Sequence, residues 1–306
     1  MKALFYDEFG DREKFQFGEL PDPHLGPDSL VVRVVAAGIN PVDYKIRQGY
    51  LAGLMDTTFP VVPGWDVAGV VVATGLDTPE YAVGDEVLAY ARKDVVSGGT
   101  LAELVSVPVR TAAHKPAGVS FEDAAALPLA GLTALQSIRR AGVEAGKTVL
   151  IHAAAGGVGS FATQLAVLAG AGVVGTAGAS NHGYVRSLGA EPILYGEQLV
   201  EQARALAPEG FDVILDYVGG QAMDTVPALL KSGGSVASIA DSRVVALGGH
   251  NVWVRPDHDD LEQLVTLVAD GKLRVNLAGI YPFEQAVAAY AELEGGHVRG
   301  KLVVTL

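Results

Sequence analysis

A glycine-rich segment follows a short apolar run in the middle of the sequence. Residues 149–151 are Val-Leu-Ile, residues 152–159 read His-Ala-Ala-Ala-Gly-Gly-Val-Gly, and a stretch of helical periodicity comes next. The pyrophosphate of a dinucleotide binds bare backbone amides at a helix N-terminus, and larger side chains would hold it away from them. Gly156 and Gly159 occupy the second and third glycine positions of the dinucleotide fingerprint, whereas Ala154 replaces the first. We predict a coenzyme loop, with a plain tight turn as the alternative, and the candidate binding residues are Ala155, Gly156, Gly157, Val158 and Gly159.

The segment beyond this loop contains no acidic residue. In NAD-binding folds an Asp or Glu about twenty residues past the loop binds the ribose hydroxyls. Residues 176–182 of this chain are Thr-Ala-Gly-Ala-Ser-Asn-His instead. This neutral segment, rich in hydrogen-bond donors, leaves room for a 2′-phosphate without like-charge repulsion. The sequence thus favours NADPH, with Ser180 and Asn181 as candidate contacts; the alternative is that they cap the next helix.

The region from residue 147 to 254 alternates short β-branched runs with amphipathic stretches of helical length. This alternation is typical of strand-helix units in a parallel sheet. The predicted strands span residues 148–152, 173–176, 192–194, 211–215, 235–239 and 251–254. The predicted helices span residues 160–169, 184–188, 199–207 and 222–230. We therefore expect a doubly wound parallel sheet of the Rossmann type.

The two ends of the chain differ from this region. Short Val-rich runs at residues 30–37, 67–74 and 83–89 predict a mainly β structure. The last part predicts helices at residues 261–269 and 284–293 and a strand at residues 301–305. A terminal strand fits the first region better than the Rossmann sheet. We expect an α/β chain in which a Rossmann domain, residues 119–256, is inserted in a discontinuous, mainly β domain of residues 1–118 plus 257–306.

Composition restricts the partners and the chemistry. A chain of 306 residues with 49% apolar content can fill the cores of two domains. A net charge of −13 disfavours nucleic acid and anionic lipid as partners. No charged residue occurs between Lys147 and Arg186, but glycines interrupt the stretch, so we expect short buried elements rather than a membrane helix. The start lacks the apolar core of a signal peptide, and we expect a cytoplasmic protein.

Further motifs resemble those of one enzyme family. They are Ala-Ala-Gly-Ile-Asn-Pro-Val-Asp-Tyr-Lys at residues 36–45, Pro-Gly-Trp-Asp-Val-Ala-Gly-Val-Val at 63–71, Gly-Asp-Glu-Val at 84–87, Leu-Pro-Leu-Ala-Gly-Leu-Thr-Ala at 127–134 and Gly-His-Val-Arg-Gly-Lys at 296–301. Their order and spacing resemble the quinone oxidoreductase branch of the medium-chain dehydrogenase/reductase superfamily. The resemblance implies a GroES-like fold for the mainly β domain and the reduction of a quinone as the activity.

The zinc ligands of other members of this superfamily are missing. Where zinc-dependent relatives have a ligand Cys and a ligand His, this chain has Asn40 and Trp65. The chain contains no Cys, and His24, His114 and His258 form no ligand-spaced group. We expect no metal. A quinone or a conjugated carbonyl compound is already electrophilic, so hydride transfer needs positioning and a group that stabilises the oxygen rather than a Lewis acid.

The resemblance also suggests which residues lie at the reaction site. It implies that Asn40 lies near the nicotinamide and the substrate, with Thr133 beside the nicotinamide. Lys45 and Tyr50 are candidates for hydrogen bonding or protonating the acceptor oxygen, with Asp43 as an orienting partner. The remaining coenzyme candidates are Tyr195 and Arg299. The alternatives are that Asn40 caps a helix, that Asp43 or Lys45 faces solvent, and that Tyr50 serves as a lid or an anchor.

Other functions stay open at this point. Residues 40–49 are also similar to plant enzymes that reduce 2-alkenals or alkenones, and an idle NADPH-binding sensor would have the same coenzyme loop. A zinc alcohol dehydrogenase would require bound metal. By analogy with relatives, a homodimer could form through the edge strand predicted at residues 251–254.

Overall fold

The fold was analysed in a computed structural model that describes residues 1–306. The chain forms two compact units, Met1–Leu132 with Pro256–Leu306, and Thr133–Arg255. Its strands are β1 (Lys2–Phe5), β2 (Gln16–Glu19), β3 (Ser29–Ile39), β4 (Asp56–Thr57), β5 (Asp66–Thr74), β6 (Glu86–Tyr90), β7 (Val95–Val96), β8 (Leu104–Pro108), β9 (Ala112–His114), β10 (Thr148–Ile151), β11 (Gly172–Thr176), β12 (Glu191–Ile193), β13 (Phe211–Asp216), β14 (Leu230–Ser238), β15 (His250–Asn251), β16 (Leu277–Pro282) and β17 (Lys301–Thr305).

The helices are mostly short. They are α1 (Pro41–Arg47), α2 (Phe121–Ala126), α3 (Pro128–Ala141), α4 (Gly157–Leu168), α5 (His182–Ser187), α6 (Leu199–Leu206), α7 (Gln221–Asp224), α8 (Val226–Leu229), α9 (His258–Ala269) and α10 (Ala286–Glu294). None of them is both long enough and apolar enough to cross a bilayer.

The first unit is built around a seven-stranded sheet with the order β16-β17-β3-β5-β6-β9, in which β8 also pairs with β3. The 11-residue strand β3 is the centre of this sheet, because β17 and β8 pair with its two halves and β5 runs along its length. Its Val and Ala side chains are largely buried, as expected for β-branched and small residues in a sheet core. The C-terminal strand β17 therefore joins the N-terminal part of the chain, as the sequence predicted.

The second unit contains a six-stranded, all-parallel sheet with the order β12-β11-β10-β13-β14-β15. The strand order reverses direction at β10, and ligands of such sheets bind beyond the carboxyl ends of the strands at this point. The loop after β10 is the predicted coenzyme loop. The α/β fold class with a Rossmann-type sheet is confirmed.

Several predicted bounds differ from the structure. The strand predicted at residues 251–254 is wrong beyond Asn251, because pairing with β14 ends at Ser238. The helix predicted at residues 222–230 is divided into α7 and α8, with Pro227 in the first turn of α8, and Leu230 belongs to β14. The strand predicted at residues 83–89 begins only at Glu86, since residues 82–85 form a turn in which the Asp85 N–H donates to the carbonyl oxygen of Ala82.

Residues 119–132 belong to the first compact unit, although the sequence assigned them to the Rossmann domain. Close packing of α2 on β3 explains this placement, because a Cβ added at Gly38 would lie 2.3 Å from the carbonyl oxygen of Ala125. The division into domains at residues 118 and 257 stays a prediction.

Candidate active site

Strand register brings three strand ends together in the first unit. Asp66 begins β5 and pairs with Gly38 of β3. Lys301 begins β17, and the next residue of that strand pairs with Ile39. Asn40 directly follows β3. The three polar side chains therefore meet inside the core, where Asn40 is 2% exposed, Asp66 0% and Lys301 4%.

The side chain of Asn40 is held from two sides. Its Nδ2 donates to Asp66 Oδ2 at 2.9 Å, and its Oδ1 accepts a short hydrogen bond from Lys301 Nζ. Lys301 also donates to the carbonyl oxygen of Ile39 at 3.1 Å and lies 3.7 Å from Asp66 Oδ2. The amide orientation of Asn40 is thus fixed by a carboxylate and an ammonium group.

Asp43 forms the second part of this buried network. Its Oδ2 accepts the backbone N–H of Asn40 at 2.8 Å and the hydroxyl of Tyr290 at 3.2 Å. The backbone N–H of Asp43 in turn donates to the carbonyl oxygen of Asn40 at 2.9 Å. Asn40 is therefore the N-cap residue of α1, as the alternative interpretation proposed, while its side chain remains available to Asp66 and Lys301.

Burial shifts the proton affinities of this network. It raises the pKa of Asp43 to about 7, and the negative charge of Asp66 adds to this effect. It likewise raises the pKa of Asp66 to about 6, against the lowering effect of Lys301. The pKa of Lys301 is lowered by burial, although both carboxylates oppose the change. Loss of hydration is therefore the largest single effect on each group.

Lys45 and Tyr50 are not part of this network. Lys45 lies on the exposed side of α1. Tyr50 is 76% exposed, and its backbone N–H donates to the carbonyl oxygen of Lys45 at 3.0 Å. The structure thus brings Asn40 and Asp43 together and leaves Lys45 and Tyr50 at the surface of the same unit. Their catalytic roles stay a prediction.

A small pocket borders the network within the first unit. Its wall includes Tyr6, Asp43, Trp65 and Lys93, together with apolar side chains such as Val62. The Tyr6 hydroxyl and Asp43 Oδ1 are buried and have no hydrogen-bond partner. The pocket holds about one water-sized group.

The glycine-rich loop of the second unit has the backbone geometry that a pyrophosphate requires. Ala153 has a positive φ of 57°, and its N–H donates to Thr176 Oγ1 at 3.0 Å. A Cβ added at Gly159 would lie 2.1 Å from the carbonyl oxygen of Ala153, so only glycine allows the start of α4 to approach the Ala153 backbone this closely. Gly156 is the N-cap residue of α4, and a Cβ there would meet only one atom, at 3.3 Å. The loop therefore fits a dinucleotide, with Ala155 buried and Gly157 and Val158 half-buried in the first turn.

The segment after β11 also fits the predicted coenzyme. Ser180 is exposed and Asn181 half-buried, and neither side chain caps the helix that follows. Tyr195 is 65% exposed, and its hydroxyl oxygen lies 3.7 Å from a Cβ added at Gly178. The structure thus brings the segment with Ser180 and Asn181 close to Tyr195 and leaves these polar groups facing solvent. Their contact with a coenzyme stays a prediction.

Two further coenzyme candidates lie elsewhere. Thr133 is buried at the start of the second unit, and its hydroxyl has no hydrogen-bond partner. Arg299 is exposed in the first unit, where its carbonyl oxygen accepts a hydrogen bond from Asn276. No group of three or more His, Asp or Glu side chains is placed to hold a metal ion.

A buried polar cluster in the second unit escaped the sequence analysis. Asp216 accepts the N–H groups of Val218 and Gly219 and the hydroxyl of Ser238. His152, the residue before the glycine-rich loop, is buried, and burial lowers its pKa to about 4. It is therefore neutral at pH 7. This cluster fixes the chain at the carboxyl ends of β10, β13 and β14.

Sequence reasoning also missed Asp66, Lys301, Tyr290 and Tyr6 as parts of the site. Asp66 and Lys301 stand inside motifs that were recognised, so their ionisable side chains at strand ends were an available signal. Tyr290 and Tyr6 gave no such signal in the sequence, because aromatic residues on a helix or strand usually fill a core.

We predict that Asp43→Asn changes how stability depends on pH. The pKa of Asp43 is raised to about 7 in the folded protein, against about 3.9 in an unfolded chain. The folded state therefore holds the proton more tightly, and this contribution is present below about pH 4 and lost as pH rises through 7. Relative to the variant, the natural protein should lose unfolding free energy between pH 4 and 8 in denaturant titrations.

The exposed residue Asp77 provides the matched control for this measurement. Asp77→Asn should leave the pH dependence of the unfolding free energy parallel to that of the natural protein. Parallel curves for Asp43→Asn as well would contradict the prediction.

Known proteins resemble this chain over its whole length. Residues 26–117 match the family described as alcohol dehydrogenase GroES-like domain, and residues 188–304 match the family described as zinc-binding dehydrogenase. A chloroplastic NADPH-dependent alkenal/one oxidoreductase of Arabidopsis thaliana is 36% identical, over 99% of this chain and 79% of the relative.

Solved structures agree with this relationship. The quinone oxidoreductase of Coxiella burnetii superposes with a TM-score of 0.90 at 34% identity, over 100% of this chain and 99% of that one. A mycobacterial protein solved in complex with NADPH has a TM-score of 0.89 at 26% identity, over 100% of both chains. The chain therefore belongs to the medium-chain dehydrogenase/reductase superfamily, in the branch of quinone oxidoreductases and alkenal/one oxidoreductases.

Proposed function

We propose that this protein is an NADPH-dependent oxidoreductase that transfers hydride to a quinone. The observation that carries the proposal is the glycine-rich loop at the N-terminus of α4, followed by a segment without acidic residues after β11. The relatives support it, since one is named as NADPH-dependent and another as a quinone oxidoreductase. When bound, the coenzyme supplies the hydride.

The second unit supplies the coenzyme site through its backbone. The N-terminal turn of α4, residues 157–159, offers amides to the pyrophosphate, and Ala155 and Gly156 shape the approach. Ser180, Asn181 and Tyr195 are proposed contacts of the adenosine side. Thr133 and Arg299 complete the proposed set.

The first unit supplies positioning and proton chemistry. Asn40 presents an amide whose orientation Asp66 and Lys301 fix. Asp43, with a pKa of about 7, can hold a proton at neutral pH and orients the backbone of Asn40. Lys45 and Tyr50 stay candidates for contacts with the acceptor at the surface of α1 and the following loop.

We propose that this reaction needs no zinc. Asn40 and Trp65 stand where zinc-dependent relatives are expected to have ligands, and the chain has no Cys. Asn40 Oδ1 and Nδ2 are both occupied by hydrogen bonds within the protein. An already electrophilic acceptor does not require a Lewis acid.

A second candidate is the reduction of the C=C bond of an alkenal or enone. The specific observation in its favour is the 36% identity to the alkenal/one oxidoreductase. Both acceptors take hydride and develop negative charge on a carbonyl oxygen, so the same site chemistry serves either.

We predict a preference for NADPH over NADH of about tenfold or more in kcat/KM, because no carboxylate repels the 2′-phosphate. Asn181→Asp should lower kcat/KM for NADPH by about tenfold through the added negative charge. Initial rates with both coenzymes test this. Gln198→Asp, an exposed position at the start of α6, is the control and should change little; a natural preference for NADH would refute the proposal.

We predict that the natural protein oxidises NADPH faster with a bulky ortho-quinone than with a simple enone. Parallel measurements of NADPH oxidation at equal acceptor concentrations test the two candidate functions. Faster turnover of the enone would assign the second candidate. Coenzyme binding without turnover of any acceptor would instead favour a sensor and contradict both.

We further propose a cytoplasmic homodimer that forms through β15. This strand is the outer edge of the six-stranded sheet, and its two residues, His250 and Asn251, are exposed. An unpaired strand edge is a template for pairing with a second copy. Sedimentation velocity should give the mass of two chains; a monomer at all concentrations would contradict this part of the proposal.

A further inference from the structure

Asp66 uses both of its carboxylate oxygens inside the first unit. Oδ2 accepts a hydrogen bond from Asn40 Nδ2 at 2.9 Å, and Oδ1 accepts the backbone N–H of Leu129, in the first turn of α3, at 2.8 Å. The side chain is fully buried, so neither bond is weakened by solvent. The bond to Leu129 therefore anchors one oxygen and leaves the other directed at the amide of Asn40.

The groups around Asn40 permit only one orientation of its amide. An ammonium group has donors and no acceptor, whereas a carboxylate has acceptors and no donor. Lys301 Nζ donates to Asn40 Oδ1, and Asp66 Oδ2 accepts from Asn40 Nδ2. A flipped amide would place its N–H groups against the ammonium and its oxygen against the carboxylate, so both bonds would be lost.

An amide at position 66 could not replace this carboxylate, although the two side chains have nearly the same shape. The oxygen of such an amide would be needed by the N–H of Leu129, which can only donate. Its nitrogen would then face Asn40 Nδ2, and two donors form no hydrogen bond. The carboxylate is therefore required here by the Asn40 amide and not only by packing.

We propose that Asp66 is a positioning residue of the hydride transfer, which acts by holding the Asn40 amide in the orientation that the reaction uses. The inference rests on the proposed function, in which Asn40 belongs to the reaction site, and adds a residue that acts through it. Lys301 supports the same orientation from the other end of the amide. Because a transfer rate depends steeply on geometry, loss of this restraint lowers kcat more than it weakens coenzyme binding.

Nuclear magnetic resonance with asparagine-selective ¹⁵N labelling observes the amide without any turnover. The chain has four asparagines, of which Asn40 alone is fully buried, and an Asn40→Asp variant identifies its signal. At about pH 7 the carboxylate of Asp66 is ionised, since its pKa is about 6. One side-chain N–H of Asn40 should then resonate downfield and exchange slowly with solvent, as a buried bond to a carboxylate requires.

Asp66→Asn should shift this resonance upfield and speed its exchange by about tenfold or more, as expected for loss of a hydrogen bond to a charged group. An unchanged resonance in this variant would overturn the inference.

Steady-state kinetics and denaturant titrations separate positioning from stability. Asp66→Asn should lower kcat with a quinone by about tenfold or more and leave KM for NADPH within a few-fold of the natural value. Asp212→Asn is the matched control, because Asp212 also accepts a backbone N–H, from Thr148, and pairs with Lys231. Asp212 lies near the start of β13, at the end of the parallel sheet opposite to the glycine-rich loop. The control should lower the free energy of unfolding and leave kcat unchanged.

A double variant that exchanges the two side chains gives the sharpest test. In Asn40→Asp/Asp66→Asn, the amide at position 66 keeps its oxygen for the N–H of Leu129 and directs its own N–H to a carboxylate at position 40, which also accepts from Lys301. The bonds and the buried charge are restored, but position 40 no longer carries an amide. The double variant should recover most of the unfolding free energy that Asp66→Asn loses and keep its low kcat.

Three results would count against the inference. Recovery of kcat together with stability in the double variant would mean that Asp66 acts only on the fold. A double variant no more stable than Asp66→Asn would contradict the hydrogen-bond directions. An Asp66→Asn protein that is folded by circular dichroism and turns over as fast as the natural protein would remove Asp66 from the reaction. If the natural protein reduces no acceptor, the proposed function fails, and the resonance of Asn40 still decides whether Asp66 orients the amide.

Discussion

The buried contact between Lys301, Asp66 and Asn40 is the constraint on which the first unit depends. Lys301 closes hydrogen bonds to the end of β3 and lies next to the first residue of β5, so one ammonium group joins three strand ends. Removing ions from water is costly, and a pair of buried charges is retained only when each partner satisfies the other. An uncompensated charge at either position would cost about 3–5 kcal/mol, which is a large part of the stability of a typical domain.

This network also determines the chemistry available nearby. Because Asp66 and Lys301 occupy both ends of the Asn40 amide, the position at which zinc-dependent relatives are expected to have a metal ligand is here a fixed hydrogen-bonding group. Asp43 is placed by the same local geometry, since it closes the first turn of α1 on the backbone of Asn40. Its remaining oxygen is buried without a hydrogen-bond partner, and Asp43 as a residue borders the small pocket of the first unit. The raised pKa of Asp43 and the fixed orientation of the Asn40 amide thus arise from one packed cluster.

In the second unit, backbone geometry rather than a buried charge network shapes the candidate coenzyme loop. The positive φ of Ala153 and the close approach at Gly159 form the loop, and buried groups such as Asp216 fix the neighbouring strand ends. Side chains then matter mainly for which coenzyme is accepted. The absence of an acidic residue after β11 bears on the choice of coenzyme, because a carboxylate there would repel a 2′-phosphate over several ångströms.

The sequence by itself determined the local features. Glycine spacing predicted the coenzyme loop, strand-helix alternation predicted the Rossmann sheet, and the neutral segment at residues 176–182 favoured NADPH. The terminal strand was predicted from residues 301–305 themselves. Each of these signals depends on residues that are neighbours in sequence. Only the tertiary structure decided which polar groups meet. Lys301 contacts Ile39 across 262 positions, and no local pattern records such a pairing. It also decided that Asp43 faces the core while Lys45, on the same short helix, faces solvent, since the orientation of α1 is set by packing against distant elements. The short β15 has the same origin, because its length is limited by its partner strand.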